Sequence, residues 1–349
     1  MNCFSAEWSR LRERLEPDFS YLIAGDFSKF DKSASFLSMY STYMIDIASL
    51  QESAFFKELD EGLQRSLLRM YQTLATEMSD HLVIIDGELL RPGHGNGSGS
   101  ADTYKKNCDI HDMIFSEASL TIVNLVARQH QADADQVLSQ SHDKASATRL
   151  AHKLDQLDID DRLTLIRDNV IAIKHGDDGL YCTNAEYAPL FNFESYKQAY
   201  AAMNLKFTPP DKGDSTYYTR TWDEIDIGKR MFLWNEELGR FTAPLSEDSI
   251  AKMLTIGVVN DMTVAEKRIE AVADATREYT QYGREKYDDY VSKMAPICAK
   301  WNVPFSPLGW EEAIQATEAD ATYTARGVDP DAVTDLQSTL DRIVNPPRN

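Results

Sequence analysis

Apolar and polar positions alternate along this chain in blocks that predict helices and short strands by turns. Over residues 5–16, Trp8, Leu11 and Leu15 fall at helical spacing on one face, and Pro17 ends the pattern. Tyr21-Leu22-Ile23-Ala24 predicts a short strand that runs into Gly25-Asp26. Residues 36–78 read as mostly helical, through Phe36, Met39, Tyr40, Tyr43 and Met44, then Leu63, Leu67 and Met70. A hairpin follows, His81–Ile85 turning at Asp86-Gly87 into Glu88–Arg91. After a glycine-dense stretch at 93–100, a long helix is predicted from about 102 to 130.

Residues 131–168 are polar and rich in Asp, Gln, Ser and Ala, and predict a helical insertion or mobile excursion with a solvated surface. Asn169–Lys174 and Gly179–Thr183 predict two strands joined through His175-Gly176-Asp177-Asp178, with further strands at 206–208 and 231–234. From 246 to about 301 the spacing is helical again, most clearly over 262–295, and an acidic tail begins at 311. Strands and helices mix without regular βαβ units, so the expected class is α+β.

Composition narrows this picture. With 349 residues, 43% hydrophobic and 26% charged, the chain has room for two modest domains or one large one and is unlike disordered or collagenous sequences. No apolar run approaches the roughly 20 residues that span a bilayer, and Met1-Asn2-Cys3-Phe4 leads into a charged amphipathic stretch rather than a signal peptide. The cysteines at 3, 108, 182 and 298 form no C-x-x-C pair, so free thiols in a reducing cytosol are expected. The formal charge of −20 runs against a nucleic-acid role unless basic surface is gathered locally or lies in sequence elsewhere.

The candidate chemistry is carboxylate-based. Asp26 ends one predicted strand and Asp177 sits in the turn between two others, an arrangement suited to holding hard divalent ions on a rigid platform for two-metal phosphoryl transfer. Singly, each signal has an ordinary reading: Gly-Asp-Asp is common in turns and a Gly-rich loop is often a linker. Their order is more telling. Asp26 and Asp31 are followed by Ser98-Gly99, then by Thr103 and Asn107, whose i, i+4 spacing puts both on one helical face. Gly176-Asp177-Asp178 comes next, then Phe207-Thr208-Pro209-Pro210-Asp211-Lys212, then Gly228-Lys229-Arg230-Met231-Phe232.

In this order the segments resemble the A, B, C, D and E motifs of RNA-dependent RNA polymerases from picorna-like positive-strand RNA viruses, over roughly residues 5–300. The resemblance implies a polymerase palm with an antiparallel sheet and flanking helices, followed by a mostly helical thumb. It places the palm at 1–235, with a partial fingers segment near 72–97 and the insertion near 131–168. The thumb falls at 236–305, and 306–349 forms an acidic tail or thumb extension. It implies RNA-templated RNA synthesis with Mg2+ or Mn2+ held by Asp26 and Asp177, Asp178 assisting. It further implies ribose recognition by Asp31, nucleotide contacts from Ser98, Gly99, Thr103 and Asn107, protonation of the leaving pyrophosphate by Lys212, and primer contacts from Lys229 and Arg230.

His175 stands where the family usually has tyrosine, a change expected to matter little because histidine can still pack there. Leu120–Asn124 has the apolar flavour of motif B but lacks a Ser-Gly loop before it, so the earlier register is preferred. Only about two dozen residues precede Asp26, where the family carries its basic fingers domain. The expectation is therefore a portion with the fingers largely missing, little activity alone, and partners comprising RNA template and primer, ribonucleoside triphosphates, and the fingers or the rest of a viral polyprotein. The host cytoplasm, at membrane-associated replication sites, is the expected location, with no membrane anchor in this chain. Reverse transcription is a close variant, against which Asp31 and Asn107 argue. A non-catalytic polymerase-like scaffold is the alternative from a different class.

Overall fold

A computed structural model of the chain describes residues 3–28, 30, 35–80, 83–85, 88–90, 103–127, 144–210, 219–255 and 263–325. They fall into two compact units. One combines Met1–Leu22 with Arg220–Gly327, and the other is built on Ile23–Thr219.

The Ile23–Thr219 unit centres on a four-stranded sheet. Its strands are β1 (Tyr21–Phe27), β4 (Val170–His175), β5 (Asp178–Thr183) and β6 (Phe207–Thr208), in the order β4-β5-β1-β6. β4 pairs antiparallel with β5, from Val170 opposite Thr183 to His175 opposite Asp178, and β1 pairs antiparallel with β6. A separate ladder joins β2 (Val83–Ile85) to β3 (Glu88–Leu90). The helices are α2 (Phe36–Glu52), α3 (Ala54–Glu58), α4 (Glu61–Ser79), α5 (Thr103–Ala127), α6 (Lys144–Asp155), α7 (Ile159–Asn169) and α8 (Phe193–Ala202). The predicted helical run at 36–78 breaks where Ser53 caps α3 by accepting from the Phe56 amide and Asp60 caps α4 by accepting from Gly62 and Leu63.

Strand alternation decides which face is buried. Ile23 and Phe27 of β1, Val170 and Ala172 of β4, Tyr181 of β5 and Phe207 of β6 all join one core with α5, α6, α7 and α8. Aromatic rings fill its centre: Phe207 lies 5.0 Å from Phe27 and 5.0 Å from Tyr200, while Tyr181 lies 4.7 Å from Phe115. Residues of the other parity, Asp26 and Asp178 among them, stand on the opposite face, where Leu22, Ala24, Leu180 and Cys182 are also buried.

Two expectations are corrected here. The 131–168 stretch is not a solvated element throughout. Its described part forms α6 and α7, whose Leu150, Leu154, Leu165 and Ile166 are buried in the core. Helix α8 was not foreseen; Asn192 caps it, accepting from the Ser195 amide.

The other unit joins α1 (Glu7–Leu15) to two small antiparallel ladders, β7 (Asp226–Ile227) with β8 (Arg230–Met231) and β9 (Leu233–Asn235) with β10 (Arg240–Thr242). It continues through α9 (Glu247–Thr255), α10 (Val264–Tyr279), α11 (Arg284–Lys300) and α12 (Trp310–Ala325), in keeping with the helical character expected there. Trp8 stacks on Phe232 at 4.6 Å and donates to the Met231 carbonyl, and buried Arg12 pairs with Glu16 and Asp223 over the Phe241 ring. These contacts tie α1 to residues 223–241. That is why the unit boundary falls at Leu22 and Arg220, whereas the sequence reading divided the chain at 235. Among the described residues, no helix is long and apolar enough to cross a membrane.

Candidate active site

The Gly176-Asp177 turn is the most tightly specified feature of the sheet. His175 and Asp178 are the closing pair, leaving a two-residue loop. Gly176 has φ +68°, and Asp177 is not among the residues with positive φ. A positive φ at the first loop position alone matches the II′ hairpin turn, which selects glycine there and presents the next residue at the tip.

Helix α5 grips this turn with one face. Tyr104, Cys108 and His111 follow i, i+4, i+7 spacing. The Tyr104 hydroxyl lies 3.1 Å from His175 Nδ1. The Gly176 amide donates to Cys108 Sγ at 3.2 Å, and His111 Nδ1 lies 3.2 Å from the Gly176 carbonyl oxygen. His111 Nε2 is 2.7 Å from the Tyr181 hydroxyl, which is 2.7 Å from that of Tyr200. Burial lowers the His111 imidazole to about 4; the bond to Gly176 opposes this and the Lys174 charge adds to it. The ring is therefore neutral near pH 7. A carbonyl only accepts, so Nδ1 carries the proton and Nε2 accepts from Tyr181, which in turn accepts from Tyr200.

The space for His111 comes from Gly179. A Cβ there would lie 2.6 Å from His111 Cε1 and 3.0 Å from Tyr181 Cε1. At Gly25, the residue before Asp26, a Cβ would lie 2.0 Å from Phe207 Cζ, so that ring packs directly on the strand backbone. Phe27, the residue after Asp26, has its ring 5.1 Å from that of His111. One buried imidazole thus touches both the end of β1 and the β4–β5 turn. Asp26 is opposite Thr208, whose hydroxyl donates to the Asp26 carbonyl at 3.2 Å. Since β5 and β1 are hydrogen-bonded neighbours, Asp26 and Asp178 share the face opposite His111, beside Asp177 at the tip.

The start of α5 is anchored separately. Buried Lys106 pairs with Asp46 of α2 and lies 3.8 Å from the centre of the Tyr43 ring; Lys105 reaches Asp46 at 2.7 Å and Asp109 at 2.6 Å. Burial alone would raise the Asp46 carboxyl, but the hydrogen bonds from both lysines hold it below its ordinary value. Asn107 is buried in this same turn of the helix, and Thr103 is its first residue. Asp31, Ser98, Gly99 and Lys212 lie outside the described residues.

Lys229 and Arg230 belong to the other unit. Ile227 opposite Arg230 leaves Gly228-Lys229 as a two-residue loop, with φ +58° and +65°. Two positive values match the I′ turn, which favours Asn or Gly at the position where Lys229 sits exposed. Arg230 is committed within its own unit: it donates to both carboxylate oxygens of buried Glu278 at 2.8 and 2.7 Å and to the Ala243 carbonyl at 2.8 Å.

Asp26, Asp177 and Asp178 are hard oxygen donors of the kind Mg2+ and Mn2+ take. Among the described residues, no group of three or more His, Cys, Asp or Glu is drawn together as a self-sufficient metal cage. Sequence reasoning missed Cys108, His111, Tyr181 and Tyr200. A signal for Cys108 and His111 was present in their i, i+4, i+7 row with Tyr104, whereas their pairing with Tyr181 and Tyr200 has no local signal.

Comparison with known proteins bears on family and fold. The family model described as viral RNA-dependent RNA polymerase matches residues 1–298. The replicase polyprotein of Drosophila C virus (strain EB) is 21% identical over 307 residues, covering 88% of this chain and 16% of the polyprotein. That of cricket paralysis virus is 21% identical over 306 residues, covering 88% and 15%. That of acute bee paralysis virus (strain Rothamsted) is 24% identical over 254 residues, covering 72% and 11%. Among solved structures, a Sicinivirus 3Dpol RNA-dependent RNA polymerase superposes with a TM-score of 0.62 at 14% identity, over 91% of this chain and 55% of that one, a likeness of fold. The chain thus spans about half of that polymerase and about a sixth or less of the polyproteins.

Proposed function

The chain belongs to the viral RNA-dependent RNA polymerase family, and on that premise we propose that it supplies the palm and thumb of an enzyme that copies RNA from an RNA template. One observation carries the reading. Asp26 and Asp178 share one face of adjacent strands, and Asp177 stands at the tip of a turn clamped by α5. In this reading Asp26 and Asp177 hold Mg2+ or Mn2+, with Asp178 assisting. Bound there, the ions supply charge stabilisation at the attacking 3′-hydroxyl and the departing pyrophosphate.

The chain's own residues do the rest. Asp31, Ser98, Gly99, Thr103 and Asn107 bind the incoming ribonucleotide, and a polar cluster of this kind distinguishes a 2′-hydroxyl by offering it both donor and acceptor. Lys212 donates a proton to the leaving group. Lys229, exposed at its hairpin tip, meets the primer backbone, while Arg230 shapes that hairpin through Glu278. The shares of the relatives covered support a further element: the fingers, with their basic nucleotide-gripping residues, come from sequence outside these 349 residues, and the chain alone extends RNA poorly. Replication at membranes of the host cytoplasm completes the proposal.

Primer extension by the polymerase that contains this chain tests it. Asp177→Ala should lower the rate by at least 10²–10³-fold, the scale of losing a transition-state charge stabiliser, and ribonucleotides should be preferred over deoxyribonucleotides. An Asp177→Ala enzyme that extends at the parental rate would sink the reading. A non-catalytic polymerase-like scaffold is the alternative. That alternative requires the parental rate to be independent of all three aspartates.

A further inference from the structure

We propose that His111 is a positioning residue that holds the Gly176-Asp177 turn in place, with Tyr181 and Tyr200 fixing which ring nitrogen faces the turn. The inference rests on reading Asp177 as an ion ligand. Its physical basis is that every polar atom of this chain of contacts has one assigned direction. The Tyr200 hydroxyl donates to Tyr181, Tyr181 donates to His111 Nε2, and His111 Nδ1 donates to the Gly176 carbonyl. Burial and the neighbouring Tyr181 push the Tyr200 phenol well above its ordinary value, so the far end of the relay keeps its proton.

A core histidine satisfied by one partner would be unremarkable. This one bridges a strand hydroxyl and the backbone of a turn 65 residues away. The sheet also leaves a side-chain-free gap at Gly179 to admit it. The same turn is held at its amide by Cys108, one helical turn earlier on α5. Gly176, the residue before Asp177, is therefore held at both its amide and its carbonyl, as positioning a carboxylate that must meet an ion requires. A conserved-shape replacement can separate positioning from packing. The Asn amide nitrogen takes roughly the place of Nδ1, and the Gln amide nitrogen that of Nε2.

The test compares the full chain with His111→Asn, His111→Gln, His111→Phe and Gly179→Ala, measuring amide hydrogen exchange across residues 170–183 and binding of Mn2+. Losing a buried hydrogen bond corresponds to about tenfold. His111→Gln, His111→Phe and Gly179→Ala should speed exchange at 176–178 about tenfold and weaken Mn2+ about tenfold, with the rest of β4 and β5 unchanged. His111→Asn should stay within about threefold of the parent. Equal acceleration in all four variants, or acceleration spread evenly over both strands, would reduce His111 to packing and overturn the proposal. So would unchanged exchange at 176–178. If the parent chain binds no Mn2+ while the exchange pattern follows the expected order, the positioning stands and the reading of Asp177 as an ion ligand falls instead.

Discussion

Two hairpin turns in this chain each present a charged side chain on two loop residues, and they are built on opposite principles. Gly176-Asp177 places its single left-handed residue at glycine and holds the backbone from outside, through Cys108 and His111. Gly228-Lys229 places a lysine in the left-handed region, with the Lys229 carbonyl accepting from the Ser246 amide and neighbouring Arg230 locked on Glu278. In the proposed function Asp177 meets an ion and tolerates little error, which the hold on Gly176 serves. A lysine that meets a phosphate backbone works as a point charge on a flexible arm. There the fold accepts local strain to keep the residue at the tip, as strained backbones at functional sites do.

Removing the support of the lysine turn should have the largest effect. Arg230→Ala strands the buried Glu278 carboxylate and should destabilise its unit by about 3 kcal/mol, read by chemical denaturation. A change below about 0.5 kcal/mol would mean the pair adds nothing to the hairpin.

Next comes pH. An exposed histidine titrates near 6.5, whereas folded His111 does so at about 4. Between these values the unfolded chain binds a proton that the folded chain refuses. Stability from this group is therefore complete above pH 6.5 and declines as pH falls towards 4, by about 3 kcal/mol at most. Melting temperature against pH should show this slope in the parent and lose it in His111→Asn. The same slope in both would remove His111 as the source.

The smallest effects compare the turns directly and should have opposite signs. Gly176→Ala has room, since the nearest atom to an added Cβ is Tyr104 Cδ2 at 4.0 Å, so its cost is conformational, about 1–2 kcal/mol. Lys229→Gly relieves a left-handed residue and should stabilise by up to about 1 kcal/mol while, in the proposed function, weakening RNA binding. If both variants shift the melting temperature in the same direction, the contrast between the turns is wrong.

What could be read from the sequence followed locality. The strand beginning at Tyr21, which runs one residue past Asp26 to Phe27, the Gly-Asp-Asp hairpin, the β2–β3 ladder and the long helix α5 are each specified by short-range pattern and turn chemistry, and all four are present. Helices α6 and α7 were legible as helices but not as core. Leu150, Leu154, Leu165 and Ile166 are isolated apolar residues in a charged stretch, and only the face they meet reveals their burial. The commitment of Arg230 to Glu278, 48 residues away, and the His111–Tyr181–Tyr200 relay are long-range pairings that no local pattern encodes. The proposed roles of Asp31, Ser98, Gly99 and Lys212 rest on motif order alone, because these positions lie outside the described residues.

The most direct test of the account is Mn2+ binding to the full chain, followed by electron paramagnetic resonance, in the parent and in Asp26→Asn and Asp177→Asn. The account requires binding by the parent and a loss of at least about tenfold in affinity in each variant, the scale of removing one charged ligand contact. Equal binding by all three proteins would contradict it and leave a polymerase fold whose aspartates do other work.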